Sequence, residues 1–310
     1  MVSVIIPNYN HAAFLKQRIE SILDQTYSDL ELIILDDCSS DNSKSIIEQF
    51  RGHAKVSHIV YNEKNSGSTF RQWQKGISLA SGSYIWIAES DDYAHTEFLS
   101  SIIAEFKKEN IGLVYTQSYS VNSDGLVTGN WLEHTKDSDD KLWENYFSMN
   151  GHEFVKKYML YQNPIPNASA VVFRKSYYDK SGGVNTDFTL NGDWYLYTKI
   201  LSVSDISFIS RSLNYFRYHN NKGSSSNVLN GNNVKEYYKL IGFWEKTFNL
   251  SKEFKYDLVH NAFTLWYNQF GKSVSNMLKS NFIKIFKEAN KVDKSVKSRI
   301  WQKWRESTKG

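Results

Sequence analysis

Two apolar segments of the chain end in pairs of aspartates, and these segments restrict the fold most. The run ELIILDDCSS carries Asp36 and Asp37, and the run YIWIAESDDYA carries Glu89, Asp91 and Asp92. Short continuous apolar runs predict strands that are buried on both faces, as in a parallel sheet. Because the carboxyl ends of parallel strands meet at one edge of the sheet, we expect both acidic pairs to face the same crevice.

Apolar runs alternate with helical patterns through the first third of the chain. Strands are predicted at residues 2–7, 30–35, 56–61 and 84–88. This order predicts an α/β domain with a largely parallel, Rossmann-like sheet flanked by helices. The turn signal Ser-Asp-Gly at 123–125 predicts a hairpin and therefore an antiparallel part. Later strands are predicted at 169–173, 206–209 and 213–218.

The composition changes near residue 220. The stretch NNKGSSSNVLNGNN at 220–233 consists mostly of Asn, Gly and Ser, which is typical of a linker. We predict an α/β domain over 1–222, a linker over 223–233 and a helical carboxyl-terminal region over 234–310. Residues 251–310 carry 13 Lys and Arg against 5 Asp and Glu, although the net charge of the whole chain is only +4. Such a basic region suits nucleic acid, anionic lipid or an acidic partner chain.

Other features bear on the compartment. The single cysteine, Cys38, excludes an intramolecular disulfide. The segment MVSVIIPNYN lacks the basic region and the longer apolar stretch of a signal peptide, and no run approaches the ~20 apolar residues that span a bilayer. We therefore expect a cytoplasmic protein.

Several common active-site motifs are absent from the sequence. The turn PNYNHAAF has no glycine, so a dinucleotide-binding G-x-G-x-x-G is missing, as are P-loop, H-E-x-x-H and G-x-S-x-G motifs. The aspartates at the strand ends are therefore the residues that best indicate a function. The Asp37 carboxylate could accept a hydrogen bond from the ring N–H of uracil or of guanine, whereas adenine offers no equivalent donor. The Asp92 carboxylate could bind Mg²⁺ or Mn²⁺ as an oxygen ligand, and the ion would neutralise the charge of a diphosphate leaving group.

Four segments, SVIIPNYN, ELIILDDCSSDNS, GSYIWIAESDDYA and LNGDWYLYTKI, resemble the pattern of glycosyltransferase family 2 in order and spacing. The resemblance covers about residues 1–220 and implies a GT-A fold. It implies a nucleoside-diphosphate sugar bound by about residues 1–110, an acceptor bound by about 111–222, and inversion at the anomeric carbon. We expect metal-dependent transfer, with Mn²⁺ or Mg²⁺, from a UDP-sugar to a saccharide or lipid-linked saccharide in bacterial surface-polysaccharide assembly.

The resemblance also implies roles for individual residues. Nucleotide-sugar-binding positions fall on Pro7, Tyr9, Asp37, Arg71 and Asp91. Metal ligands fall on Asp92 and His219, the catalytic base on Asp193, and an acceptor-stacking aromatic on Trp194. Four of these residues have a plainer alternative: Arg71 as a surface arginine, His219 as a structural histidine, Trp194 as a core residue, and Asp193 as a helix cap.

Two other functions stay open. A sugar nucleotidyltransferase would share the acids, but it normally has a basic Gly-rich loop after the first strand, which this chain lacks. A catalytically silent scaffold would bind a membrane or a partner chain through its basic helices, although Asp92 and Asp193 argue against it. No nucleic-acid partner is expected.

The carboxyl-terminal helices have their own alternatives. One apolar face is predicted from Val274, Met277, Leu278, Phe282, Ile285, Phe286 and Ala289. Together with the basic residues it suits peripheral contact with the inner face of the cell membrane. Alternatively, the face packs on its own domain or on another subunit of a homo-oligomer.

Overall fold

The computed structural model of the protein describes residues 1–136, 138–139, 141–218, 231–270 and 282–307. The chain divides into two compact units. The first comprises Met1–Asp187 and Gly192–Asn221, and the second comprises Phe188–Asn191 and Lys222–Gly310. The short segment Phe188–Asn191 thus belongs with the carboxyl-terminal helices, which the sequence did not predict.

The first unit is built around a ten-stranded sheet. Its strands are β1 (Val2–Asn8), β2 (Leu30–Asp36), β3 (Val56–Tyr61), β4 (Tyr84–Ile87), β5 (Tyr93–Ala94), β6 (Ile111–Val121), β7 (Val127–Asn130), β8 (Phe147–Met149), β9 (Val171–Arg174) and β10 (Asp205–Arg217). The spatial order is β3-β2-β1-β4-β9-β6-β10-β5, with β7 paired to β6 and β8 paired to β10.

Strand directions agree with the predicted mixed sheet. β1 is parallel to β2 and to β4, and β2 is parallel to β3. β9 then runs antiparallel between β4 and β6, and β6 forms the predicted hairpin with β7. The predicted α/β fold class with a parallel half is confirmed.

One strand differs from its prediction. The two runs at 206–209 and 213–218 form the single strand β10, and residue 218 lies beyond its end. Its pairing with β6 shifts register between Ile209 and Ser212 and again between Ser212 and Asn214. Such irregularities bend a strand without ending it, so the polar interruption that suggested two strands is a pair of local distortions.

Eight α-helices of the first unit connect and cover these strands in the described residues. They are α1 (Ala12–Leu23), α2 (Ser43–Glu48), α3 (Thr69–Leu79), α4 (Phe98–Glu105), α5 (Leu132–Thr135), α6 (Gly151–Phe154), α7 (Lys175–Lys180) and α8 (Gly192–Leu201). The core forms because β1 and β2 are buried along their whole length. Helix α3 packs closely on them: a Cβ atom at Gly76 would lie 2.3 Å from the Ile5 side chain.

The second unit is helical, as predicted. Its described helices are α9 (Asn232–Phe248), α10 (Lys252–Phe270), α11 (Phe282–Val292) and α12 (Val296–Ser307). Residues 232 and 233, predicted to end the linker, are therefore the first turn of α9, and 223–230 lie outside the described residues. None of the helices in the described part of the chain is long and apolar enough to cross a membrane.

Two residues of the predicted apolar face, Ile285 and Ala289, are buried in the structure. Ile285 and Ala289 of α11 have no exposed surface, and α11 packs against α9. These two residues therefore follow the packing alternative rather than offering an apolar face to a membrane. Val274, Met277 and Leu278 lie outside the described residues.

Candidate active site

The carboxyl ends of β1, β2 and β4 lie at one edge of the sheet and bring the two acidic pairs to it. Asp36 closes β2 and is almost fully buried. Its Oδ1 accepts hydrogen bonds from the Asn8 amide at 2.8 Å and from the Ser39 hydroxyl at 2.6 Å. Asp36 therefore stabilises the turn after β2, where Cys38 adopts a left-handed conformation with φ of 64°.

Asp37 organises the loop before α3. Its Oδ1 accepts from the Asn62 amide at 2.6 Å, the Ser66 N–H at 2.8 Å and the Gln72 amide at 2.9 Å. Its Oδ2 accepts from the Ser66 hydroxyl at 2.7 Å. Because each carboxylate oxygen offers about two lone pairs, only Oδ2 keeps an accepting position. The predicted base recognition by Asp37 remains a prediction, now restricted to that one oxygen.

The other predicted nucleotide-binding residues surround this loop in different ways. Pro7 is buried within β1, whereas Tyr9 is 48% exposed just beyond the end of that strand. Arg71 is exposed on α3, and its guanidinium donates a hydrogen bond of 3.0 Å to the Ser66 carbonyl. Ser66 thus links two of the predicted residues, because it donates hydrogen bonds to Asp37 and accepts one from Arg71.

Glu89 begins the acidic cluster that follows β4. The Trp73 indole N–H donates to its Oε1 at 2.9 Å, and Trp73 is almost fully buried. Burial raises the pKa of Glu89 to about 8, and the negative charge of Asp91 raises it in the same direction. The protonated form of Glu89 is therefore favoured near neutral pH when no cation is present.

Asp92 is 1% exposed and has contacts on both carboxylate oxygens. Oδ1 accepts from the backbone N–H of Arg217 at 2.9 Å, and Oδ2 accepts from the Asn167 amide at 2.5 Å. Burial raises the pKa of Asp92 to about 7, with a further contribution from Asp91. Asp91 itself is partly exposed and is therefore the more accessible of the two acids. The metal role of Asp92 remains a prediction.

A buried arginine lies close to this cluster. Arg18 of α1 has no exposed surface, and its guanidinium carbon is 4.9 Å from the centre of the Trp86 ring. None of its side-chain nitrogens has a hydrogen-bond partner among the residues described. Burial lowers the pKa of Arg18 to about 10, while Asp92, Glu89 and Asp91 oppose that shift. Its charge offsets part of the negative charge of the acids.

The helix that carries Asp193 packs on the elements that hold Glu89. Gly192 begins α8 directly against the Phe70 ring, where a Cβ atom would lie 2.6 Å away. Phe70 contacts Trp73 edge to face, with ring centroids 4.9 Å apart, and Trp73 donates to Glu89. A packed series of Gly192, Phe70, Trp73 and Glu89 thus connects the start of α8 with the acidic cluster.

Tyr197 on α8 is a second link between the two sites. Burial raises the pKa of the Tyr197 phenol well above its usual value, and the negative charges of Asp193 and Glu89 raise it further. Both carboxylates are therefore close enough to act on one buried phenol. Together with the packed series from Gly192 to Glu89, this phenol indicates that Asp193 and the acidic cluster lie in the same part of the first unit.

One predicted residue, Trp194, is held in the core. Trp194 is 9% exposed, and its indole N–H donates to the Met159 carbonyl at 2.9 Å. This is the core position given above as its alternative, and it argues against acceptor stacking, which stays a prediction. His219 lies outside the described residues. Within those residues no group of three His, Cys, Asp or Glu side chains is arranged to hold a metal ion by itself.

The pattern of the Glycosyl transferase family 2 model matches residues 3–182, more than half of the chain. The chain belongs to glycosyltransferase family 2. One relative, the chondroitin synthase of Pasteurella multocida (strain Pm70), is 33% identical over 143 residues, which are 46% of this chain and 15% of that protein. The chain spans less than half the length of the first curated relatives that it matches.

Solved structures share the fold of this family-2 chain. The structure of S. aureus TarS 1-349 in complex with UDP-GlcNAc has a TM-score of 0.72 at 18% identity, covering 96% of this chain and 83% of that one. The mannosyltransferase PcManGT from Pyrobaculum calidifontis, in complex with GDP-Man and Mn²⁺, has a TM-score of 0.57 at 16% identity and covers 93% and 73%. The GT-A fold implied by the sequence is confirmed.

Several residues of this family-2 site were not found by sequence reasoning. Asn167 and Arg217 contact Asp92 from positions 75 and 125 residues away along the chain. Gln72 and Arg18 look like ordinary polar residues of amphipathic helices, although both are buried. No local pattern marks them, because their role arises only when distant segments meet.

Proposed function

We propose that the protein is a metal-dependent inverting glycosyltransferase that moves a sugar from a UDP-sugar to a saccharide or lipid-linked saccharide acceptor. The observation that carries this proposal is the packed series from Gly192 to Glu89, which joins the helix of Asp193 to the acidic cluster. Membership of glycosyltransferase family 2 supports the reaction class. We infer a setting in surface-polysaccharide assembly at the cytoplasmic face of the membrane, and the similarity to a chondroitin synthase supports polysaccharide chemistry.

A UDP-sugar is the proposed donor. Tyr9 offers an exposed ring beyond β1, and Oδ2 of Asp37 retains one accepting position for the ring N–H of uracil. The similar TarS structure contains UDP-GlcNAc, which supports a uridine nucleotide in this fold. Arg71, exposed and tied to Ser66, is the proposed cationic contact to the nucleotide.

The acidic cluster fits a divalent cation. Mg²⁺ and Mn²⁺ prefer oxygen ligands, and Mg²⁺ usually binds through one or two carboxylates together with substrate phosphates rather than in a cage made by protein alone. Burial, and then the charge of Asp91, raise the pKa values of Glu89 and Asp92, and a bound cation would favour their ionised forms. Asp91 and Asp92 would hold the ion, and the bound ion would stabilise the charge that develops on the departing diphosphate.

Asp193 is the proposed general base. Its carboxylate would accept the proton of the acceptor hydroxyl while that oxygen bonds to the anomeric carbon and the bond to the diphosphate breaks. Attack from the side opposite the leaving group inverts the anomeric centre. The reaction needs no covalent sugar–protein intermediate, so one base and one acid cluster are sufficient.

A panel of nucleotide sugars, assayed for release of the nucleoside diphosphate with Mn²⁺ or with EDTA, tests the proposal. We expect turnover of a UDP-sugar that stops in EDTA. Turnover of a GDP-sugar alone would replace the donor but keep the reaction. Calorimetry with UDP and Mn²⁺ separates the enzyme from a silent scaffold, because a scaffold need not bind this pair. Absence of both binding and turnover would contradict the proposal.

A further inference from the structure

Glu236 of α9 is a fully buried carboxylate whose partners all come from one short segment. It has no exposed surface. Its Oε1 accepts from the backbone N–H of Thr189 at 2.6 Å and from the Thr189 hydroxyl at 2.8 Å. Its Oε2 accepts from the N–H groups of Leu190 at 3.1 Å and Asn191 at 2.8 Å. Four donors occupy the whole accepting capacity of the group, which makes its burial tolerable.

The position of this segment gives the contact its significance. Thr189, Leu190 and Asn191 are the three residues before Gly192, where α8 begins, and Asp193 is the second residue of that helix. A carboxylate that accepts hydrogen bonds from three consecutive N–H groups fixes the conformation of the backbone immediately before the helix. Glu236 therefore restrains the backbone two residues from the proposed base.

Other residues of α9 and its neighbourhood restrain the same segment. The Lys239 ammonium lies 5.3 Å from the centre of the Phe188 ring. The Asn191 side-chain amide donates a longer hydrogen bond of 3.5 Å to the Asn233 carbonyl. Contacts with α9 thus occur at both ends of Phe188–Asn191, and Glu236 provides the short, charge-assisted ones.

We propose that Glu236 is a positioning residue for sugar transfer: by holding residues 189–191, it sets the placement of Asp193 against the acceptor hydroxyl. The inference rests on the proposed function, in which Asp193 is the base. Because a misplacement of about 1 Å can cost roughly 100-fold in rate, a carboxylate that contacts no substrate can still control turnover. The carboxyl-terminal helical region then contributes to the reaction through Glu236, in addition to any role in binding a membrane or another subunit.

Glu236→Gln is the direct test. The side chain keeps its size, but its amide nitrogen would face two N–H donors in place of an acceptor. We expect kcat for UDP-GlcNAc, measured as UDP release, to fall about 10–100-fold. We expect the KM for UDP-GlcNAc and the affinity for UDP with Mn²⁺ to stay unchanged. Loss of kcat and of UDP affinity together would indicate a general defect of folding and would overturn the inference.

A milder pair of substitutions, at Thr189, tests the inference even if the Glu236→Gln variant does not fold. Thr189 is exposed, so Thr189→Val removes one donor to Glu236 and leaves the backbone N–H groups in place. We expect kcat to fall about threefold to tenfold. Thr189→Ser keeps the hydroxyl and should retain normal turnover. Equal kcat values for the Val and Ser variants, combined with a normal kcat for Glu236→Gln, would contradict a positioning role.

Two further measurements separate this inference from the proposed function. In an Asp193→Asn background, Glu236→Gln should change the residual kcat by less than about twofold, because its effect passes through Asp193. A full, multiplied loss would show that Glu236 acts elsewhere. If Asp193→Asn itself leaves turnover normal, the base assignment fails instead.

Hydrogen exchange gives a result that is independent of activity. Amides in residues 189–201 should exchange faster in Glu236→Gln, whereas amides of β1 should not change. If the protein does not turn over UDP-GlcNAc at all, the hydrogen-exchange measurement is the test of the inference. Unchanged exchange in residues 189–201 overturns the inference. Faster exchange confined to that segment supports it.

Discussion

Oδ1 of Asp92 accepts a 2.9 Å hydrogen bond from the backbone N–H of Arg217, across 125 residues of sequence. The Arg217 guanidinium in turn donates to the Asp91 carbonyl at 2.8 Å and to the Ser123 carbonyl at 2.9 Å. The end of β10, the acidic cluster and the β6–β7 hairpin are therefore held by one residue pair. Asp92 stabilises the fold whether or not it also binds metal.

Substitution of the two aspartates by alanine should separate these roles. Asp92→Ala leaves the buried Arg217 N–H and the Asn167 amide without an acceptor, so we expect a loss of about 1–3 kcal/mol in unfolding free energy. Asp91→Ala, at a partly exposed position, should change stability little. Calorimetry should show weaker UDP binding for both variants with Mn²⁺ and little change in EDTA. Equal losses in both conditions would remove the metal role.

The stability of the metal-free protein should fall as pH rises. The pKa values of Glu89 and Asp92 are raised to about 8 and about 7, mainly by burial and then by Asp91. A raised pKa means that the protonated form favours the fold, so the contribution is complete at acid pH and is lost through pH about 7 to 8. Thermal melts between about pH 5 and 8 should show this decline, and Glu89→Gln should flatten it. A Tm that rises over this range would contradict the assignment.

Asp193→Asn should abolish most of the transfer and leave UDP affinity nearly intact. Loss of general-base assistance typically lowers the rate about 10²–10⁴-fold. Asp187→Asn is the matched control, because Asp187 is exposed and lies only a few residues upstream. Near-normal turnover by a correctly folded Asp193→Asn variant would eliminate Asp193 as the base.

Asp37 should determine the preference for the base of the nucleotide. Its one remaining accepting position suits the ring N–H of uracil, and adenine has no matching donor. UDP should therefore displace a bound UDP-sugar far better than ADP does. Ser66→Ala removes the hydroxyl donor to Oδ2 but keeps the N–H donor, so the preference for UDP should persist in it. Equal inhibition by UDP and ADP would remove Asp37 from base recognition, whereas a preference for GDP would change only the donor.

The sequence predicted the elements of this molecule better than their contacts. The order of strands and the convergence of Asp37 and Asp92 followed from apolar runs, because burial on both faces leaves a local trace in composition. The hydrogen-bond partners of these acids cannot be recognised from local composition. Asn167 and Glu236 are polar residues whose neighbours are set by the topology of the chain. Trp194 shows how little the position of a residue along the chain reveals: an aromatic beside a proposed base suggested sugar stacking, whereas its burial favours the core alternative.

The basic face of α11 should bind anionic membranes through charge rather than through its apolar side. Ile285 and Ala289 are already buried within the helical unit, whereas Lys284 and Lys287 are exposed. The protein should therefore co-sediment with vesicles that contain anionic lipid at low salt and should be released at high salt.

Reversing the charge of both lysines, in Lys284→Glu/Lys287→Glu, should abolish this binding without changing Tm, because each basic residue near such a surface contributes about 1 kcal/mol. The double reversal is a cleaner test than ending the chain at Asn233, since that truncation also deletes Glu236 and would confound membrane binding with turnover. If the intact protein stays in the supernatant and runs as an oligomer that the double reversal dissociates, the basic face is an assembly surface instead.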